Sequence, residues 1–175
     1  MKKVYFLSGC SGVGKTTIMN YLKTLLPDSY KVCDFDERGV PDNADHTWRL
    51  NQTKEWIKEG RDITEDNKLL LVCGFLNPDE MEDIQKDFLD VEVLTILLDG
   101  DADVIEKRLR TRNQNNEVKA NLERVVGSAE DFIQNNTKFI PVLREIFKKH
   151  NLPIIDTTNK NPEEVAKEVV KLIQA

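Results

Sequence analysis

Short apolar runs alternate with longer amphipathic stretches along the whole chain. The runs have the length of strands and cover residues 3–7, 30–35, 69–73, 91–98 and 153–156. The third run contains no polar residue, as expected for a strand that is buried on both faces. Strands that alternate with helices predict an α/β fold, in which right-handed crossovers join a parallel sheet to helices on both of its faces.

Apolar residues at helical spacing predict a helix after most of these strands. The expected helices cover 15–26 and 45–59, start near Asn77-Pro78 and Asp101, cover 118–133 and 139–147, and end the chain around 165–173. Gly60 is expected to stop the second helix, because glycine commonly follows the last helical residue. The polar stretch 112–117 predicts a mobile flap.

Length and charge narrow the class of protein. At about 150 residues per domain, 175 residues predict a single domain over 1–175. No apolar run approaches the roughly 18 residues of a membrane helix, and the apolar part of the N-terminus is too short for a signal, so we expect a cytoplasmic protein. The net charge is −6, from 25 basic and 31 acidic residues, which argues against long nucleic acid as a partner. Three widely spaced cysteines predict neither a disulfide framework nor a zinc site.

The segment Gly9–Thr16 matches the pattern G-x-x-x-x-G-K-[ST] in full, between a predicted strand and a predicted helix. Glycines allow backbone N–H groups to surround phosphate oxygens, and the helix N-terminus favours an anion. Lys15 is placed to reach the β- and γ-phosphates of ATP, and Thr16 to bind Mg²⁺. Cys10 occupies a variable position of the motif and is assigned no redox role. The predicted nucleotide-binding residues are Gly9, Cys10, Ser11, Gly12, Val13, Gly14, Lys15, Thr16 and Thr17.

Acidic residues follow the second predicted strand, where a parallel sheet opens towards its ligand. In an extended segment Asp34 and Asp36 point to the same side. One of them can organise Mg²⁺ while the other accepts a proton from an attacking hydroxyl, and this division stays open. Arg38 can hold an anionic group of the acceptor. The alternative interpretation is an acidic loop that contacts only solvent, which would have the same sequence pattern.

Together these motifs resemble the small P-loop kinases, namely shikimate kinase, gluconate kinase and the nucleoside monophosphate kinases. The resemblance covers most of the chain in element order. It implies a five-stranded parallel sheet of order 2-3-1-4-5 with helices on both faces and a short lid at about 112–118. It also implies that Asp34 lies near the metal and that Asp36 contacts the acceptor hydroxyl.

The end of the third strand departs from one branch of this group. Nucleoside monophosphate kinases carry Asp-Gly-Phe-Pro-Arg there, whereas this chain has Cys73-Gly74-Phe75 and lacks the arginine. The departure argues against that assignment. Gly74 either lets an acceptor approach the backbone or is an ordinary turn glycine. Residues 37–68 are expected to form the acceptor site, in which Trp48, Arg49 and Trp56 provide either ligand contacts or packing.

Two arginines lead into the lid segment. Arg108 and Arg112 are four residues apart and share a helix face. The resemblance implies that Arg108 contacts adenine or phosphate and that Arg112 stabilises the transferring phosphoryl group. Cations at a helix C-terminus would give the same pattern. Arg124 is a further candidate, and the loop 156–159 either passes near the adenine or caps the last helix.

The sequence therefore predicts a kinase that uses ATP and Mg²⁺ and phosphorylates a small-molecule acceptor, with Lys15, Asp36, Arg108 and Arg112 as catalytic residues and Thr16 and Asp34 at the metal. The alternatives are a P-loop GTPase or ATPase switch and a non-catalytic nucleotide-binding protein. Asp36–Gly39 spells the D-x-x-G of a switch, but 159–162 lacks the aspartate of a guanine signature. The acceptor (nucleoside, nucleotide or sugar acid) and the oligomeric state stay open.

Overall fold

The computed structural model describes residues 2–42, 44–63 and 68–174. The strands within these residues are β1 (Lys2–Ser8), β2 (Tyr30–Asp34), β3 (Leu69–Cys73), β4 (Val91–Asp99) and β5 (Ile154–Asp156). The helices are α1 (Lys15–Leu25), α2 (His46–Ile63), α3 (Pro78–Gln85), α4 (Ala102–Arg112), α5 (Asn116–Val126), α6 (Ala129–Lys149) and α7 (Pro162–Ile173). None of the described helices is long and apolar enough to cross a membrane.

All five strands are parallel and form one sheet in the order β2-β3-β1-β4-β5. This confirms the predicted α/β architecture and strand order. Residues 4–8 of β1 and 70–73 of β3 are buried, and their apolar side chains alternate between two clusters on opposite faces of the sheet. Uninterrupted apolar sequence in the central strands is therefore explained by helices that cover both faces.

The prediction that Gly60 ends the second helix is wrong. α2 continues to Ile63, and Gly60 lies within it against the sheet. A Cβ atom at this position would lie 2.3 Å from Cγ2 of Val4. Gly60 is thus explained by the close approach of α2 to β1 rather than by a helix end.

The predicted helix over 118–133 is two helices. α5 ends at Val126 because Gly127 adopts a positive φ of 82°, and Ser128 then starts α6 by accepting a hydrogen bond from the backbone N–H of Asp131 at 3.2 Å. The apolar residues keep the same spacing across this break, which hides it in the hydrophobic pattern. α6 then runs through the expected gap before Phe139 to Lys149, with Pro141 inside it.

Candidate functional site

The glycine-rich loop, Gly9–Thr16, connects β1 to α1 at the carboxyl edge of the sheet. Gly12 has a φ of 83°, and a Cβ atom there would lie 2.8 Å from Cγ of Leu109 on α4. Gly9 is equally constrained, because its Cβ would lie 2.5 Å from the carbonyl oxygen of Leu98. Glycine at these two positions therefore allows the loop to pack closely against α4 and β4.

The Lys15 ammonium folds back over the loop. Its Nζ donates to the carbonyl oxygens of Gly9 at 2.6 Å and Cys10 at 3.0 Å. Burial lowers the pKa of Lys15 to about 8. An anion placed in the loop would favour the charged ammonium, so this geometry suits phosphate binding.

A contact from the distant helix α6 also holds the loop. The side-chain amide of Asn136 accepts from the Ser11 backbone N–H at 2.9 Å and donates to the Ser11 carbonyl at 3.1 Å. α6 is itself fixed to the end of β4, where Arg144 pairs with the buried carboxylate of Asp99. Sequence reasoning missed Asn136. The available signal was a pair of amides at 135 and 136 inside an amphipathic helix.

Asp34 and Asp36 do lie together, although the extended geometry predicted for them is wrong. β2 ends at Asp34, and residues 35–38 form a turn in which Gly39 N–H donates to the carbonyl of Asp36 at 2.9 Å. Within the turn, the Asp36 N–H donates to Asp34 Oδ1 at 3.0 Å. The other oxygen of Asp34 accepts from the Thr16 hydroxyl at 3.5 Å. The turn therefore directs both carboxylates to the glycine-rich loop.

The environments of the two aspartates differ. Burial and the neighbouring charge of Asp34 raise the pKa of Asp36, while Lys15 partly opposes the shift. No hydrogen bond to the Asp36 carboxylate occurs among the described residues. The Asp36 carboxylate is thus available to a ligand, whereas that of Asp34 is tied to Thr16 and to the turn.

The thiols around this site are not nucleophiles. Burial raises the pKa of Cys10 to about 11, and that of Cys73 to about 12. The buried thiol of Cys33 also has its pKa raised to about 12. Thiols with such values are protonated at neutral pH and do not attack a substrate.

Arg108 and Arg112 both extend from α4 towards the glycine-rich loop. Arg108 Nη2 donates to the carbonyl of Thr157 at 3.1 Å, which ties it to the loop after β5. Arg112, one turn later, is exposed, and its guanidinium makes no ion pair within the described part of the chain. Arg110 lies elsewhere, because it pairs with Glu106 and Glu130. The free guanidinium is therefore that of Arg112.

Two other candidate arginines lie away from the loop. Arg38 pairs with Glu59, and its guanidinium carbon lies 3.7 Å from the centre of the Trp56 ring. Arg124 of α5 pairs with Asp42 in the segment between β2 and α2. Neither lines the cleft described below, so the structure does not place the suggested anion contact of Arg38 there.

An aromatic surface lines the same cleft as Asp36. We call it the aromatic end, and it comprises the half-buried rings of Trp48, Phe75 and Phe139. Phe75 and Phe139 have ring centroids 6.1 Å apart. Gly74 is required by packing rather than by a ligand, because a Cβ atom there would lie 2.2 Å from Cβ of Phe35.

The tryptophans in the predicted acceptor segment have different roles. Trp48 lines the cleft, and its ring meets that of Phe35 edge-on with the centroids 6.2 Å apart. Trp56 is fully buried and donates from Nε1 to the carbonyl of Phe35 at 3.2 Å. Residues 64–67, also part of that segment, lie outside the described residues.

These features converge on one open cleft of about 1340 Å³ at the carboxyl edge of the sheet. A volume above the usual range of about 300–1,000 Å³ for one small ligand leaves room for two. The residues that the sequence assigns to nucleotide binding, catalysis and the metal all line it: Gly9, Cys10, Ser11, Gly12, Val13, Gly14, Lys15, Thr16, Thr17, Asp34, Asp36, Arg108 and Arg112.

Solved structures with this fold cover nearly the whole chain. A shikimate kinase from Acinetobacter baumannii, solved with shikimate, has a TM-score of 0.57 at 17% identity, over 99% of this chain and 93% of that one. A sugar kinase from a Janibacter species has a TM-score of 0.63 at 16% identity, over 99% and 95%. The tunicamycin resistance protein of Deinococcus radiodurans has a TM-score of 0.61 at 20% identity, over 99% and 96%.

Sequence comparisons add no assignment, because no family model and no curated protein matches the chain. At identities of 20% and below, the structural likeness establishes the fold. It confirms the predicted resemblance to small P-loop kinases at that level.

Proposed function

We propose that the protein is a kinase that transfers the γ-phosphoryl group of Mg-ATP to a hydroxyl group of a small molecule. The observation that carries the proposal is the cleft itself. A glycine-rich loop with a half-buried lysine, a pair of aspartates and an arginine without an ion pair among the described residues line one cleft that is large enough for two ligands. Phosphoryl transfer needs this combination of positioning and charge stabilisation.

ATP would bind with its phosphates in the glycine-rich loop. Backbone N–H groups and the N-terminus of α1 would hold the β- and γ-phosphates, and Lys15 would exchange its two carbonyl partners for phosphate oxygens. Arg108, held against the loop after β5, would contact the nucleotide, and Arg112 would stabilise charge on the transferring group.

The residues present fit a magnesium ion. The Thr16 hydroxyl and the Asp34 carboxylate are oxygen ligands that lie 3.5 Å apart beside the loop. No group of three or more histidine, cysteine or acidic side chains suited to a metal occurs within the described ranges, and Mg²⁺ needs only one or two protein ligands beside phosphate and water. Bound there, the ion would neutralise charge on the β- and γ-phosphates.

Asp36 would accept the proton of the attacking hydroxyl. Its carboxylate faces the cleft, is not engaged by a neighbouring donor among the described residues, and has a raised pKa. A base whose pKa lies closer to neutrality transfers protons more effectively at physiological pH.

The direct test measures ADP release by the purified protein with Mg-ATP, alone and with pooled nucleosides, nucleoside monophosphates, sugars or sugar acids. We expect one pool to stimulate ADP release well above basal hydrolysis. Hydrolysis that no acceptor affects, or turnover of GTP alone, would favour a switch protein. Nucleotide binding without any turnover would favour a non-catalytic binding protein.

The contact between Asn136 and Ser11 is expected to prepare the loop for phosphate. Asn136→Ala removes two hydrogen bonds at about 1 kcal/mol each, so the affinity for ADP should fall about 10-fold and the thermal midpoint by a few degrees. Isothermal titration calorimetry checks this. Gln134→Ala is the control, since that amide lies on the same helix, contacts Glu130 rather than Ser11 and does not line the cleft. Equal ADP affinity in the two variants would contradict a role for Asn136 in positioning the loop.

A further inference from the structure

The aromatic end of the cleft has the character of a site for a flat ring. Trp48, Phe75 and Phe139 are half-buried and line the same cleft as Asp36, and Trp48 packs on Phe35 of the turn that carries Asp36. The guanidinium carbon of Arg49 lies 5.0 Å from the centre of the Phe75 ring. The parts of the three rings that still face the cleft are unfavourable in water, by about 25 cal/mol for each Å². A ligand ring that covers them recovers this free energy and adds favourable ring–ring contacts.

Arg49, the cation at the aromatic end, already has an anionic partner. Arg49 donates from Nη1 and Nη2 to the two oxygens of Glu80, at 2.6 and 2.8 Å. Although burial favours the neutral form of Glu80, the guanidinium outweighs it and holds the pKa of Glu80 below its usual range. His46 contacts the same carboxylate at 3.1 Å. An anionic ligand would therefore compete with Glu80 for Arg49.

Carboxylates line the cleft at the turn that carries Asp36. Asp36 and Glu37 both line it, with Asp34 behind them, and Lys15, the cation whose charge acts on Asp36, belongs to the glycine-rich loop. Arg38 faces Glu59 and Trp56 instead. Like charges at close range in a cleft repel a phosphate monoester or a carboxylate.

We propose that the acceptor is an uncharged alcohol that carries a flat ring, as a nucleoside does, and that monophosphates and sugar acids are rejected. The inference rests on the proposed kinase function and names the acceptor class of the same site. The ring packs on Trp48, Phe75 and Phe139, and the hydroxyl faces Asp36.

The transfer step balances without a further reactant. The acceptor oxygen forms a bond to the γ-phosphorus as the bond from that phosphorus to the β–γ bridging oxygen breaks. The hydroxyl proton passes to the Asp36 carboxylate, and ADP leaves with the bridging oxygen.

The test compares each ribonucleoside with its own 5′-monophosphate, and both with glucose and gluconate, in the full chain with Mg-ATP. We expect one nucleoside to have a kcat/KM about 100-fold above that of its monophosphate, since close like charges cost several kcal/mol. Stimulation mainly by a monophosphate, by gluconate or by glucose would overturn the acceptor class and leave the kinase function standing. If none of these compounds stimulates ADP release, the kinase function is overturned, and ligand binding then decides whether the ring site stands.

Binding gives a readout that does not depend on turnover. The same nucleoside is expected to change the tryptophan fluorescence of the wild-type chain but not of Trp48→Phe, because Trp56 is buried away from the cleft. Trp48→Ala should raise the KM of the nucleoside about 10-fold, the usual effect of removing one stacking ring. A fluorescence change without ADP release would sustain the ring site and overturn the kinase function. An unaltered KM in Trp48→Ala would overturn the ring site.

Neutralisation of one carboxylate tests the exclusion of anions. Glu80→Gln frees Arg49, so the kcat/KM of the monophosphate should rise about 10-fold relative to that of the nucleoside. Glu82→Gln is the matched control, because Glu82 lies on the same helix α3, is exposed and is outside the Arg49 pair. Equal nucleotide preference in the two variants would overturn the role of the Arg49–Glu80 pair in selecting the acceptor.

Discussion

Lys15→Ala is expected to lower turnover with Mg-ATP about 1,000-fold, the upper range for removing one preorganised donor from a phosphoryl-transfer site. The loss corresponds to about 4 kcal/mol of transition-state stabilisation. The reason is that charge grows on the leaving phosphate oxygens, and Lys15 is the cation that the glycine-rich loop encloses. Steady-state ADP release with the acceptor measures the effect.

The fold should survive this substitution. Burial destabilises the charged Lys15 ammonium, as its lowered pKa shows. The free energy that is recovered when this charge is removed offsets the loss of its two hydrogen bonds to loop carbonyls. The thermal midpoint of Lys15→Ala should match that of Lys23→Ala, an exposed lysine on the same helix α1. Normal turnover in Lys15→Ala would contradict the assignment of the loop to phosphate.

The pH dependence of ADP binding separates the Lys15 charge from other contributions. In the ligand-free chain the pKa of Lys15 is about 8, so the ammonium is lost as the pH rises above that value. Phosphate binds the charged form, and affinity should therefore fall above pH 8, by up to about tenfold for each pH unit. In Lys15→Ala the ADP affinity should stay flat across this range.

Most of the sheet was predictable because the central strands are covered on both faces. Strands such as β3 then have uninterrupted apolar sequence, which few other structures require. The errors fall where tertiary contacts decide the outcome. Gly60 looked like a helix end, yet it is needed because Val4 lies against it. Gly127 ends α5 without any interruption of the apolar spacing.

The residues of the candidate site also differ in whether the sequence could predict them. The glycine-rich loop and the acidic pair are contiguous in sequence, and their chemistry could be inferred from spacing alone. The contributions of α6 could not, because Asn136 and Phe139 lie far in sequence from Ser11 and Phe75, which they contact, and carry no local motif. The ion pairs of Arg38 and Arg49 could not be predicted either, since the sequence around an arginine does not show which carboxylate pairs with it.

Asp36→Asn is expected to lower kcat about 100- to 1,000-fold, within the usual range for loss of a general base, with little change in ATP affinity. Asparagine keeps the size and the hydrogen-bonding turn but cannot accept the hydroxyl proton. Asp34→Asn should instead weaken Mg²⁺-dependent ATP binding, because its carboxylate lies against the Thr16 hydroxyl. Single-turnover kinetics and titration of Mg²⁺ distinguish the two variants.

The pH profile provides the sharper criterion for the role of Asp36. Burial and the charge of Asp34 raise the pKa of Asp36, so protonation of this base should reduce kcat/KM at a pH above the usual range for aspartate. Asp36→Asn should lose this acid limb, whereas Asp34→Asn should keep it, moved to lower pH by removal of the neighbouring negative charge. If Asp36→Asn instead abolishes Mg-ATP binding and turns over normally once ATP is bound, Asp36 organises the metal. The proton acceptor would then be Asp34.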